Sequence, residues 1–123
     1  MHELSIAANL VESVLQFVSE KQPSEVRAVR LAVGELTCVQ HEQLRFCYQS
    51  LVGQTEIKGS ALEIETVPAE VSCSHCQYEG APRYWDEALA VELVPTLQCP
   101  QCGKAAEAVR GHECAIRSIQ YVS

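Results

Sequence analysis

Cys73-Ser-His-Cys76 and Cys99-Pro-Gln-Cys102-Gly103 form two Cys-x-x-Cys pairs with 22 residues between them. Two residues between cysteines allow a tight turn that directs both sulfur atoms at one ion. The glycine after the second pair permits the positive φ that such a turn needs. Two pairs supply four thiolates, the closed tetrahedral set that structural zinc prefers. The spacing therefore predicts one zinc ion bound by Cys73, Cys76, Cys99 and Cys102.

Redox chemistry is the alternative for these cysteines. A thioredoxin-like function requires one Cys-x-x-Cys pair in a βαβ setting, which this sequence lacks. The chain contains seven cysteines, and an odd number argues against a disulfide framework and for metal binding in a reducing compartment. The amino terminus has no basic region before an apolar run, and no apolar stretch is long enough to span a bilayer. We therefore expect a cytoplasmic protein that does not associate with membranes.

The section 69–112, which contains both cysteine pairs, differs from the rest of the chain. It holds three of the five prolines and no long helical pattern. Because it is too small to fold by burial alone, bound zinc would supply folding free energy on the order of 10 kcal/mol. We expect 69–112 to be an inserted zinc-ribbon-like domain, with 1–68 and 113–123 forming a second domain around it.

The flanking sequence predicts an α/β (α+β) fold, with a small mixed sheet and two helices. Apolar residues at spacings of three and four predict helices over 4–18 and 44–51, the second with an apolar stripe of Leu44, Cys47, Tyr48 and Leu51. Alternating patterns predict strands at 29–33 and 62–64, and the stretch 116–122, with mixed apolar and polar residues and no Gly or Pro, predicts a third. The expected apolar face of the first helix comprises Leu4, Ala7, Ala8, Val11, Val14, Leu15 and Val18. We expect the three remaining cysteines to be packed residues rather than ligands: Cys38, Cys47 and Cys114.

The charge distribution bears on possible partners. The net charge is −7, and acidic side chains outnumber basic ones in the section with the cysteine pairs. Many zinc ribbons bind nucleic acid, but this surface would repel a polyanion. We therefore expect no nucleic-acid partner.

Several stretches together resemble the HypA/HybF family of nickel metallochaperones for the maturation of nickel–iron hydrogenases. They are the opening Met1-His-Glu-Leu-Ser5, the turn Val33-Gly-Glu-Leu36, the two cysteine pairs, and the closing Gly111-His-Glu-Cys-Ala-Ile-Arg-Ser-Ile119. The resemblance covers essentially the full length. It implies a nickel-binding α/β domain with a zinc domain inserted before the last strand.

The resemblance also implies ligands and partners. Its nickel ligands map onto the amino terminus, with His2 the central one, and its zinc ligands map onto the four paired cysteines. It implies a HypB-type GTPase partner and the hydrogenase large-subunit precursor as recipient. Two positions depart from the family pattern: His75 lies inside the first cysteine pair, and His41 stands where the family more often has Pro or Asp. The sequence is compatible with a monomer and with a homodimer. It does not decide whether urease also receives nickel, nor what role His112 has.

The first three residues can bind nickel through their own chemistry. The Met1 amine, the His2 backbone nitrogen and the His2 imidazole close adjacent chelate rings on one ion. Glu3 can add its backbone nitrogen or its carboxylate. Nitrogen-rich, square-planar sites suit Ni(II) and Cu(II). Amides at a helix start have no intrahelical partner, so their deprotonation costs no helical hydrogen bond.

These features favour a metal carrier over an enzyme. The sequence shows no Ser/His/Asp set, no Gly-rich phosphate loop and no acidic pair at catalytic spacing. We expect a protein that binds Ni(II) at its amino terminus and delivers it to a hydrogenase precursor. The alternative is a zinc-ribbon protein–protein adaptor or regulator with no nickel role. Nickel binding that requires a free amino terminus would distinguish the two.

Overall fold

The computed structural model describes residues 3–84 and 97–123. Two helices and short sheets make up the described part, which confirms the α+β class. None of the described helices is both long and apolar enough to cross a membrane. In chain order the elements are α1 (Glu3–Lys21), β1 (Glu25–Gly34), a 3-10 turn (Glu35–Thr37), α2 (His41–Val52), β2 (Ala61–Val67), β3 (Glu70–Ser72), β4 (Glu79–Gly80), β5 (Arg83–Tyr84), β6 (Leu97–Gln98), β7 (Glu107–Arg110) and β8 (Cys114–Val122).

The chain divides into two compact units. The first comprises Met1–Val33, Cys38–Glu65 and Cys114–Ser123. The second comprises Thr66–Glu113 and also the short segment Gly34–Thr37. This segment contains the 3-10 turn between β1 and α2, and the sequence pattern did not assign it to the same unit as the cysteine pairs.

A three-stranded sheet in the order β2-β1-β8 forms the frame of the first unit. β1 is central and pairs antiparallel with β8, from Glu25 opposite Val122 to Val33 opposite Cys114. The central position explains why most residues of β1 are buried. The last strand begins at Cys114, two residues before the predicted start.

The buried face of α1 differs in part from the predicted face. Leu4 is 58% exposed, and Ala8 is also exposed. Apolar residues occur on more than one side of this helix, so a spacing of three and four fits more than one stripe. The residues of α1 that are buried are Ile6, Ala7, Leu10, Val11, Val14 and Val18.

The second helix supplies the other half of this core. Leu44, Cys47 and Tyr48 are buried, as the sequence predicts. The Tyr48 hydroxyl lies 2.6 Å from the Ser60 hydroxyl, which satisfies both buried groups. Burial raises the pKa of Tyr48, although the hydrogen bond with Ser60 partly opposes this.

The packing prediction for the remaining two cysteines is wrong. Cys38 and Cys114 are exposed. Cys38 also has a φ of 59°, in the left-handed region that residues with a Cβ rarely adopt. Cys38 thus lies in the turn that leads into α2. The conformation of this turn, and not the apolar character of the side chain, places Cys38 at the surface.

The second unit contains a three-stranded sheet, β4-β3-β7, and a two-stranded ribbon, β5-β6. Within it the 3-10 turn contacts the chain near β7, because the Leu36 N–H donates to the Gly111 carbonyl at 2.8 Å. The Gly34 N–H donates to the Glu113 carbonyl at 2.7 Å. The described part of the second unit has few buried apolar residues: Leu36, Val67, Ala69, Val71, Cys73 and Cys99.

These hydrogen bonds bring two backbone segments very close together at a pair of glycines. A Cβ built on Gly34 would overlap the carbonyl carbon and oxygen of Gly111. The obstruction is backbone, so no side-chain rotation could relieve it. Glycine is therefore required at position 34 by space.

We predict that Gly34→Ala lowers the free energy of unfolding by about 3 kcal/mol or more, because overlap with backbone atoms forces the chain to move. Gly53→Ala is the matched control. Gly53 has helical φ and ψ, and an added Cβ would meet its nearest atoms at an ordinary 3.6 Å. We expect this control to be neutral or up to about 1 kcal/mol more stable. Denaturant unfolding of the zinc-loaded proteins measures both, and equal stability of Gly34→Ala and the native protein would contradict the prediction.

Candidate metal centre

Two backbone hydrogen bonds shape the first cysteine pair. β3 ends at Ser72, so Cys73 begins a turn directly after a strand. The Cys73 N–H donates to the Tyr78 carbonyl, and the Gln77 N–H donates to the Cys73 carbonyl, both at 2.9 Å. Gln77 closes this turn with a φ of 67°. The turn therefore requires a left-handed residue at the position after Cys76.

The second cysteine pair repeats this arrangement at the same spacing. β6 ends at Gln98 and presents Cys99. The Cys99 N–H donates to the Lys104 carbonyl at 2.8 Å, and the Gly103 N–H donates to the Cys99 carbonyl at 2.9 Å. Gly103 has a φ of 80°, which confirms the positive φ predicted for the glycine after Cys102.

The two turns bring all four sulfur atoms within 4.8 Å of one another. The Sγ atoms of Cys73 and Cys102 are 3.6 Å apart, and those of Cys76 and Cys99 are 3.5 Å apart. A tetrahedron with Zn–S bonds of about 2.3 Å has edges of about 3.8 Å, so the cluster has the size of a zinc–thiolate site. A disulfide would need about 2.05 Å between sulfur atoms, which excludes one for these pairs.

The pKa values of the thiols indicate that the cluster needs a bound cation to hold four thiolates. Burial of the Cys99 thiol opposes its ionisation, but hydrogen bonds from the backbone of Cys102 and Gln101 outweigh this and lower its pKa to about 7. A backbone hydrogen bond from Tyr78 favours the thiolate of Cys76, but burial and the neighbouring thiols outweigh it and raise the pKa to about 12. Adjacent thiols therefore do not ionise together unless a cation offsets their repulsion.

The donor set fits structural zinc. Four thiolates complete a tetrahedral coordination shell and leave no open position for a water or a substrate. Within 3–84 and 97–123, no other group of three or more His, Cys, Asp or Glu ligand atoms is placed together in this way. The structure thus brings together all four cysteines predicted as zinc ligands, while His75 is exposed on the first turn and is not in the group.

The predicted nickel ligands are only partly covered by the structure. Met1 and His2 lie outside the described residues. Glu3 is the first residue of α1 and is half-buried. Its Oε2 accepts a hydrogen bond from the Gln40 N–H at 3.1 Å. His41, directly after Gln40, is the first residue of α2 and is half-buried.

The sequence did not predict this contact between the starts of the two helices. An acidic residue in a first helical turn suits the helix dipole, and that explanation needs no partner outside α1. The contact joins residues 37 positions apart, and nothing in the local pattern around Glu3 or Gln40 specifies it. The carboxylate of Glu3 thus has a backbone partner in the turn before α2.

We predict that the purified protein contains about one zinc ion per chain, as expected of a four-thiolate site. Cys99→Ala should lose the zinc and unfold the second unit, because only three thiolates then remain and the coordination shell is no longer closed. The helices α1 and α2 should persist, because their core lies in the first unit. Elemental analysis and circular dichroism test this, and zinc retention equal to the native protein would rule out the four-thiolate assignment.

We predict opposite effects for two substitutions at equivalent positions of the two turns. Gly103→Ala places a Cβ at positive φ without any close contact, at a cost of about 1 kcal/mol. Gln77→Gly removes the backbone strain of a residue with a Cβ at positive φ. Part of this gain is offset, because glycine loses more backbone entropy on folding. Zinc affinity, measured with a competing chelator, should fall about fivefold for Gly103→Ala and stay equal or rise for Gln77→Gly. A loss of affinity in both variants would contradict the equivalence of the turns.

Known proteins are similar to this chain over nearly its full length. A family model described as "Hydrogenase/urease nickel incorporation, metallochaperone, hypA" matches residues 1–121. A protein of Methanosarcina barkeri called hydrogenase maturation factor HypA is 36% identical, over 98% of this chain and 95% of its own. One of Streptomyces avermitilis with the same name is 34% identical, over 98% of this chain and 87% of its own.

Solved structures show the same fold. The solution structure of the Ni metallochaperone HypA from Helicobacter pylori superposes with a TM-score of 0.66 at 18% identity, covering 100% of this chain and 99% of that one. A second solution structure of a HypA protein gives a TM-score of 0.69. The family match over nearly the full length, together with the relatives above 30% identity, shows that this chain belongs to the HypA family.

Proposed function

We propose that this protein binds Ni(II) at its amino terminus and delivers it during the maturation of nickel–iron hydrogenase. The match of the HypA nickel-incorporation model over residues 1–121 is the observation that carries the proposal. The match includes the first three residues, Met1-His2-Glu3, and in this proposal their nitrogen atoms chelate the ion. Hydrogenase maturation is also the role named for the relatives above 30% identity.

The proposed nickel ligands are the Met1 amine, the His2 backbone nitrogen and imidazole, and Glu3. The position of Glu3 supports its backbone nitrogen as the contributing atom. It is the first residue of α1, where an N–H has no acceptor within the helix, so loss of that proton breaks no helical bond. Its carboxylate accepts the Gln40 N–H, which argues against a primary role of that group in nickel binding.

The two metals would then have different tasks. We propose that 69–112 is a zinc-binding domain, with zinc retained by Cys73, Cys76, Cys99 and Cys102, and that 1–68 and 113–123 form the nickel-binding domain. Four thiolates close the zinc site on all sides, which suits a permanent structural ion. A chelate built on a chain terminus has few anchoring side chains, which suits an ion that has to be released.

We further propose that the protein acts as a carrier and not as an enzyme. Its partners would be a HypB-type GTPase and the hydrogenase large-subunit precursor, and it would work in the cytoplasm as a monomer or homodimer. A reducing compartment suits a thiol cluster that has to remain available to zinc. The net charge of −7 disfavours nucleic acid as a partner.

We predict that an uncleaved amino-terminal tag abolishes nickel binding, because it converts the Met1 amine into an amide and moves the chelate out of frame. A carboxy-terminal tag is the control and should leave nickel binding intact. His2→Ala should also abolish binding, because it removes the imidazole. Zinc content and helix content should stay unchanged in every variant. Nickel titration followed by absorbance, beside a zinc assay, measures these outcomes.

The same experiment separates the proposal from its alternative. A zinc-ribbon adaptor or regulator would bind no stoichiometric nickel in any form. If the amino-terminally tagged protein binds nickel as tightly as the native one, the Met1 amine is not a ligand and the proposed site is wrong.

A further inference from the structure

We propose that the Glu3 side chain is a positioning residue, which holds the amino terminus for nickel by fastening the first residue of α1 to the backbone before α2. The inference rests on the proposed function, because it assigns a task to a side chain within the same site. It concerns the carboxylate alone and leaves the backbone nitrogen of Glu3 as the nickel ligand.

The start of α2 supplies the anchor. Gln40 precedes α2 with extended backbone angles (φ −83°, ψ 116°), and its side chain makes no capping hydrogen bond. Its carbonyl accepts the Leu44 N–H at 3.0 Å, which begins the helical ladder, while its own N–H points to the Glu3 carboxylate at 3.1 Å. A negative charge near the amino end of a helix is also favoured by the helix dipole. The bond thus links the first residue of α1 to the backbone at the start of α2.

The first turn of α1 needs such an anchor. Leu4 is 58% exposed and Ser5 is exposed, and burial holds this helix only from Ile6 onward. Helix termini fray when burial does not hold them. A chelate that spans residues 1 to 3 depends on the path of this same turn, so the Glu3–Gln40 bond restricts the segment that has to wrap around the ion.

Loss of the Glu3–Gln40 hydrogen bond should lower the affinity for nickel without changing the atoms that coordinate nickel. If the terminus is correctly placed for only a fraction of the time, the apparent dissociation constant rises by the inverse of that fraction. Loss of one hydrogen bond to a charged group at a half-exposed position corresponds to about a fivefold to tenfold change. A carboxylate that is itself a nickel ligand would instead change the coordination when it is removed.

Two variants of Glu3 distinguish these roles. Glu3→Ala removes the acceptor, so nickel should bind about fivefold to tenfold more weakly with an unchanged Ni(II) absorption spectrum. Glu3→Gln retains a side-chain oxygen that can accept the Gln40 N–H, so it should bind within about twofold of the native protein. If both variants lose binding equally and both change the spectrum, the carboxylate is a ligand and the positioning role is wrong.

A change on the other side of the bond tests the same contact without altering Glu3. Gln40→Pro removes the N–H at a residue whose φ of −83° is near the value that proline requires. It should weaken nickel binding as Glu3→Ala does, and the two changes combined should cost less than the sum of their separate effects, because both remove the Glu3–Gln40 hydrogen bond. Gln40→Ala keeps the N–H and is the matched control, with native affinity expected.

Amide hydrogen exchange at Gln40 gives a readout that does not depend on nickel. Exchange should be slowed in the native protein and in Glu3→Gln, and faster in Glu3→Ala, with zinc content and circular dichroism unchanged in all three. Native nickel affinity in both Glu3→Ala and Gln40→Pro would overturn the positioning role and leave the proposed function intact. Failure of the untagged native protein to bind nickel would overturn both.

Discussion

Mutual repulsion among four neighbouring thiolates is the constraint on which the second unit depends. Sulfur atoms 3.5 to 3.6 Å apart resist joint ionisation. At Cys76, burial and the neighbouring thiols outweigh the backbone hydrogen bond of Tyr78 and raise the pKa to about 12. At Cys99, burial is outweighed by the backbone hydrogen bonds of Cys102 and Gln101, which lower the pKa to about 7. A divalent ion offsets this repulsion, because its positive charge and its bonds to sulfur favour the thiolate form. The second unit has few buried apolar residues in its described part, and metal therefore takes the place of a large apolar core.

The zinc site and the proposed amino-terminal nickel site differ in donor chemistry. The cysteine cluster offers four soft thiolates in a closed tetrahedral shell, a donor set that suits structural zinc. The proposed amino-terminal site offers nitrogen atoms, which suit a square-planar ion. The proposed positioning role of Glu3 fits this division, because the Glu3–Gln40 bond would order an exchangeable site without adding a strong ligand.

The sequence predicted the features that depend on local spacing. The cysteine pairs, the positive φ of Gly103 and the buried stripe of α2 all follow from residues within a few positions of one another. Long-range features were missed or wrong. The exposed Cys38 and Cys114, the inclusion of Gly34–Thr37 in the second unit and the Glu3–Gln40 bond depend on how distant segments meet. The face of α1 was partly wrong because Ile6 and Leu10 fit a helical stripe as well as Leu4 and Ala8 do.

The difference between Gln77 and Gly103 allows the cost of a strained turn to be compared with the free energy of zinc binding. Both residues close the same turn with positive φ, yet only one of them is a glycine. A left-handed residue with a Cβ costs about 1–2 kcal/mol, whereas zinc binding to such a site supplies on the order of 10 kcal/mol. The metal therefore tolerates a strained turn that a small apolar core could not stabilise. Gly34 is different, because a Cβ there would meet backbone atoms of Gly111. Local preference can be overruled by a strong ligand, but steric overlap between two backbone segments cannot.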